Sequence, residues 1–128
     1  MDGMERKKIL IVEPDKKLAK KIYLILRKDG LITNTTDQAL ESIRTIQKEH
    51  ISVLVFDVDV KDMAWDVAVA IIKELEPGLP IIITSTHNTP DLEVRILRQK
   101  PFYYHVKSFG TEELLLAVQN AIERPVTR

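Results

Sequence analysis

Polar side chains of three chemical types stand at the ends of short apolar runs in this 128-residue chain. Glu13-Pro14-Asp15 follows Ile9–Val12, and Asp57 ends Val53–Asp57 and is followed by Val58-Asp59. Thr84-Ser85-Thr86 ends the run begun at Ile81, and Lys107 closes Phe102–Val106. Carboxylates, a hydroxyl and an ammonium together suit phosphoryl chemistry on a carboxylate. An aspartate can attack a phosphoryl group and form an acyl phosphate. The charge on the phosphoryl oxygens is then neutralised by a lysine and by Mg²⁺ held on one or two carboxylates. A threonine hydroxyl can hydrogen-bond a further oxygen. Such a site requires that residues 13, 57, 84 and 107, separated by 44, 27 and 23 positions, meet at one rim.

The elements that would bring them there are legible as a pattern. Five apolar runs recur, at Ile9–Val12, Leu31–Thr35, Val53–Asp57, Ile81–Thr84 and Phe102–Val106. ILIV, VLVF and III do not alternate with polar residues, as expected of strands covered on both faces. Between them lie helical patterns. Residues 16–28 place Leu18, Ile22, Ile25 and Leu26 on one face behind Asp15 as N-cap, and residues 37–49 repeat this with Leu40, Ile43 and Ile46 after a Thr35–Gln38 capping box. Residues 65–76 carry Ala68, Ile71, Ile72 and Leu75 before Pro77-Gly78. Thr89-Pro90-Asp91 opens a helix through Arg98, and Thr111-Glu112-Glu113 opens the last, with Leu114, Leu115, Val118 and Ile122. Five alternations predict an α/β domain with a parallel sheet and right-handed crossovers. In such sheets chemistry sits beyond the carboxyl ends of the strands, where the polar residues fall.

Composition narrows the classes. With 45% apolar and 30% charged residues the chain is of ordinary globular make-up. It has no cysteine, which removes thiol catalysis, disulfide scaffolds and Cys-based metal sites. Nineteen basic residues balance nineteen acidic ones, so no global field draws nucleic acid or an anionic membrane. Apolar runs of about five residues are far below the ~18 a membrane span needs, and the polar Met1–Lys8 stretch lacks a signal-peptide core. A cytoplasmic protein is expected. Glycines at 3, 30, 78 and 110 leave no glycine-rich phosphate loop after the first strand, against a flavin or dinucleotide binder. No nucleophile elbow supports a hydrolase.

With these residues in place, the chain resembles the receiver domain of two-component response regulators. The resemblance rests on ILIVEPD at 9–15, VLVFD at 53–57, PIIITS at 80–85, Tyr104, and HVKSF at 105–109, and covers about residues 7–124. It implies one domain with the flavodoxin-like (βα)5 three-layer sandwich, strand order 2-1-3-4-5. It also implies that Asp57 accepts a phosphoryl group from a sensor histidine kinase or phosphotransfer protein, with Lys107 pairing the phosphate and Thr84 moving towards it. Tyr104 matches the aromatic switch, and the fourth helix, fifth strand and fifth helix form the surface for partners or a homodimer. Mg²⁺ would be held by Glu13, Asp57 and the backbone carbonyl of Asp59. The activity implied is regulatory, with at most self-phosphorylation and self-dephosphorylation. Ending at Arg128, the chain reads as a stand-alone receiver or one cut from a longer regulator.

Several positions depart from the family pattern. Where receivers carry a second acid after the first strand, Pro14 offers no ligand; Asp15 either substitutes or caps the first helix. Lys61-Asp62 replaces a usual Pro-Gly turn, and Trp65 stands where glycine is preferred, as a helix-start residue or as a partner anchor. Ser108 follows the lysine in place of proline, so a trans peptide is expected, since cis before a non-proline costs ~3–4 kcal/mol. Pro101 should stiffen the turn before the fifth strand. These departures keep open an alternative, a pseudo-receiver that binds partners without phosphorylation.

The remaining features have simpler readings. Lys16, Lys17, Lys20, Lys21, Arg27 and Lys28 form a solvated face or a dock for an acidic partner, with nucleic acid disfavoured. Tyr103 is a candidate exposed contact, Leu24 lies off the core face, and His50, His87 and His105 are read as surface residues. The polar ends, 1–7 and 124–128, are expected to fray.

Overall fold

A strand that is apolar on both faces needs cover on both, and the computed structural model, which describes residues 6–124, supplies it. In chain order the elements are β1 (Lys8–Val12), α1 (Lys16–Lys28), β2 (Ile32–Thr36), α2 (Ala39–Lys48), β3 (Val53–Asp57), α3 (Trp65–Leu75), β4 (Ile81–Ser85), α4 (Pro90–Arg98), β5 (Tyr103–Val106) and α5 (Thr111–Glu123). A short 3₁₀ turn, Lys107–Phe109, joins the last two. All neighbouring strands are parallel, in the order β2-β1-β3-β4-β5, which is the flavodoxin-like (βα)5 sandwich. The frayed ends expected from composition fall largely on residues 1–5 and 125–128, outside the described residues. Among the described residues no helix is long and apolar enough to cross a membrane.

The two-residue period of a strand sorts the core into two layers. Ile9, Ile11, Val53, Val55 and Ile82 pack with Ile22 and Leu26 of α1 and with Leu114 and Val118 of α5. Leu10, Val12, Leu54, Phe56, Ile81 and Ile83 point the other way, onto Ile43 and Ile46 of α2, Ile72 of α3 and Ile96 of α4. Each such buried side chain contributes roughly 1.5–3 kcal/mol, so the central strands carry much of the stability.

Helix ends and faces differ in places from the pattern-based expectation. Asp15 does cap α1, accepting from the N–H groups of Lys17 (3.0 Å) and Leu18 (3.2 Å). The Thr35–Gln38 capping box does not form; α2 starts at Ala39, and Gln38 makes no side-chain cap bond. The cap comes from Asp62, on the loop after β3. Consequently Ala39 is buried and Leu40 exposed. In α3 the buried stripe is Trp65, Ala68, Val69 and Ile72, and Ile71 and Leu75 lie outside it. The reason is geometric: a helix laid on a sheet buries one stripe, here the one that includes Trp65 at the first turn. Trp65 is therefore a covered helix-start residue and not a partner anchor. The Arg95 guanidinium sits 5.5 Å from its ring centroid and pairs with Asp66 at 3.3 Å, linking α4 to α3.

Candidate functional site

Strand parity decides which polar residues meet. In the sheet register Asp57 lies opposite Thr84, Thr84 opposite His105, and Val12 opposite Phe56, which sets Glu13 beside Asp57. Glu13, Asp57, Thr84, His105 and Lys107 continue the sets of residues facing α1 and α5. Ser85 and Tyr104 have the opposite parity and face the α4 side, where Tyr104 packs against that layer's core.

Asp57 is fully buried, and each of its oxygens has a partner. Oδ1 accepts from the Thr84 hydroxyl at 2.6 Å and pairs with Lys107 Nζ at 2.9 Å, and Oδ2 accepts from the Asp59 N–H at 3.0 Å. Lys107 Nζ also reaches Glu13, 2.8 Å from Oε1 and 3.0 Å from Oε2. Glu13 Oε2 accepts in addition from the Asp15 N–H at 2.9 Å. Two buried carboxylates thus share one ammonium. Burial, and then the charge of Asp57, push the Glu13 carboxyl above its usual range despite the bonds from Lys107 and Asp15. For Lys107, burial works against the ammonium, but hydrogen bonds to Glu13 and Asp57 and their charges outweigh it and raise its pKa. Among the described residues no buried side-chain nitrogen or oxygen lacks a partner.

The residues singled out from the sequence divide clearly. Asp57, Thr84, Lys107 and Glu13 come together. Asp15 contributes its backbone N–H to Glu13, while its side chain is committed to the α1 cap. Tyr104 stands apart, its hydroxyl 2.7 Å from Ser85 Oγ and 2.9 Å from Asn88 Oδ1. Adjacent hydroxyls on β4 therefore serve opposite faces: Thr84 reads Asp57 and Ser85 reads Tyr104. There is no cis peptide among the described residues, so Lys107–Ser108 is trans as expected. The following turn closes with Gly110 N–H to Lys107 C=O at 3.0 Å, and the φ of 95° at residue 110 requires glycine.

His105 corrects the sequence reading. It is only 2% exposed, although all three histidines were expected at the surface. Its place on β5 opposite Thr84 turns it inward, where Nδ1 lies 3.4 Å from Glu113 Oε1 on α5. Tyr103, a candidate exposed contact, is half-buried instead and donates its hydroxyl to that same Glu113 oxygen at 2.7 Å. Asp62 was missed as a cap because its partners lie 22 and 23 residues earlier.

The donor set suits a hard cation. Mg²⁺ takes one or two carboxylates with waters and phosphate oxygens, and does not need an all-protein cage. Glu13 and Asp57 supply two carboxylates already bridged by one cation, and no group of three or more candidate ligands occurs among the described residues.

The fold has counterparts. Residues 9–119 match the response regulator receiver domain, and the chain belongs to that family. It is 27% identical over 119 residues to NtrC, a DNA-binding transcriptional regulator of Proteus hauseri, covering 93% of this chain and 25% of that protein. It thus spans about a quarter of that relative's length. A CheY-like receiver domain protein from Methanospirillum hungatei JF-1 has the same fold, with a TM-score of 0.86 at 23% identity over 93% of this chain and 95% of that one. So does the beryllofluoride-activated NtrC4 receiver domain dimer, at 0.83 and 24%, over 91% and 96%. Receiver domains are regulatory elements of two-component signalling.

Proposed function

We propose that this receiver, read as one domain over residues 1–128 with its core at about 7–124, is a phospho-accepting switch with Asp57 as the acceptor. The donor would be a phosphohistidine of a sensor kinase or phosphotransfer protein. The observation that carries this reading is that one oxygen of Asp57 is bonded at once by a hydroxyl from β4 and an ammonium from the turn after β5, segments far apart in the chain. In the transfer, an Asp57 oxygen forms a bond to phosphorus as the bond to the donor imidazole nitrogen breaks. The electron pair stays on that nitrogen, and the product is an acyl phosphate. Lys107 then pairs with a phosphoryl oxygen, and the Thr84 hydroxyl turns from Asp57 to donate to another.

Glu13, Asp57 and the Asp59 backbone carbonyl would hold Mg²⁺, which neutralises charge on the phosphoryl oxygens. Pro14 supplies no side-chain ligand and Asp15 stays with its cap, so the affinity should be low. Release of the Tyr104 hydroxyl from Ser85 and Asn88 would carry the change to the α4-β5-α5 surface, where Val94, Leu97 and Leu116 are exposed. We place a homodimer contact on that surface; the beryllofluoride-activated NtrC4 receiver is itself a dimer. Any enzymatic activity would be limited to the domain's own phosphorylation and dephosphorylation. We place the domain in the cytoplasm, with protein partners and no direct nucleic-acid contact.

Incubation with Mg²⁺ and a small-molecule acyl phosphate, followed by intact mass measurement, tests this. The expected result is a gain of one phosphoryl group that is absent in Asp57→Asn. No gain under any donor condition would instead favour the pseudo-receiver, the reading that Pro14 and the complete burial of Asp57 support.

A further inference from the structure

We propose that Asp62 is a positioning residue that ties the acceptor loop to α2 and so holds the backbone of Asp59 beside Asp57. This rests on the reading of Asp57 as the acceptor. The loop from Val58 to Ala64 contains neither proline nor glycine, so its course is not set by a rigid turn. It is set by contacts. Val60 is buried and Met63 packs against the α2/α3/α4 core layer. Asp59 N–H is bonded to Asp57, and Asp62 grips α2 with both oxygens.

That grip is unusual in its source. Oδ1 accepts from Ala39 N–H at 2.8 Å and Oδ2 from Leu40 N–H at 2.9 Å. A helix ordinarily has an N–H of its first turn, at N2 or N3, bonded by its own N-cap side chain. Gln38 already has the extended backbone of an N-cap, with φ −122° and ψ 130°, but makes no such bond. An Asp or Ser at 38 would serve α2 alone; a carboxylate from the loop makes the helix end and the loop one unit. Burial opposes ionisation of Asp62, but the backbone N–H groups of Leu40, Ala39 and Asp62 itself together outweigh it and hold the carboxyl below its usual range.

A cap that only stabilises α2 and a tether that also positions the loop are separable. Asp62→Ala removes both, whereas Asp62→Ala with Gln38→Asp moves one carboxylate to the helix's own N-cap at constant net charge. The expected result is a lower melting temperature in the single variant that recovers in the double. Phosphorylation by the acyl phosphate should slow by roughly fivefold or more in both, because misplaced reacting groups lose rate without losing the fold. Recovery of rate together with melting temperature in the double variant would overturn the proposal and leave Asp62 a helix cap. If the wild-type chain takes no phosphoryl group, the reading of Asp57 fails by itself, and amide NMR of Asp62→Ala decides the tether. Shifts at residues 57–60 support it, and shifts confined to residues 39–48 overturn it.

Discussion

At Asp57 three donors meet two carboxylate oxygens, and one of those donors, Lys107, is shared with Glu13. Turning Lys107 onto a phosphoryl oxygen of a phosphorylated Asp57 would leave the buried Glu13 carboxylate and the phosphoryl oxygens short of positive charge, which is the electrostatic setting in which a divalent cation is favoured. His105 lies on the same face and is buried beside these groups. Burial, with the charge of Lys107, holds its pKa below the ordinary 6.5, and the bond and charge of Glu113 offset only part of that. The unfolded chain therefore takes up a proton near pH 6.5 that the native protein resists. The contribution of His105 is fully present above that pH and is lost as pH falls through the lower native value. Thermal melts between about pH 7.5 and about pH 5.5 should show a declining melting temperature, and His105→Val should flatten that acid limb. An unchanged slope in the variant would show that another group is responsible.

Among the elements, α3 separates pattern from packing most clearly. Its sequence WDVAVAIIKEL is apolar nearly all round, so spacing alone admits more than one buried stripe. Ile72 is fully buried while its neighbour Ile71 is 39% exposed. Ile72→Ala should cost about 3 kcal/mol of unfolding free energy, through lost transfer energy and a cavity. Ile71→Ala should cost less than about 1 kcal/mol. Urea unfolding of the two variants checks this, and similar losses would mean that the outer face of α3 is covered in solution. The same contrast explains α2, where the loop carboxylate sets the helix start and Ala39, not Leu40, turns inward.

For the whole molecule, the proposed switch surface lies at the edge of the sheet. Leu97 of α4 and Leu116 of α5 are 53% and 62% exposed, on the two helices that flank β5. If the activated surface is a homodimer contact, sedimentation of the phosphorylated or beryllofluoride-treated chain should show a dimer. Leu97→Glu should leave it a monomer, because a charge buried in an apolar interface is strongly disfavoured. A variant that dimerises as the wild type does would move the contact elsewhere.

Much of this architecture was legible before any fold was drawn. Non-alternating runs such as ILIV and VLVF announce strands covered on both faces, and the polar residue at the end of each run lies where an open parallel sheet collects its chemistry. Those are local properties, carried by a period of two and by residues adjacent in the chain. What the chain read alone left open were relations between distant segments. That His105 turns inward depends on the register of β5 against β4, and that Asp62 caps α2 depends on a loop passing the end of a helix some twenty residues earlier. The sharing of Lys107 by Glu13 and Asp57 likewise exists only once β1, β3 and β5 lie in one sheet, because a hydrogen bond is set by distance in space and no spacing along the chain encodes it.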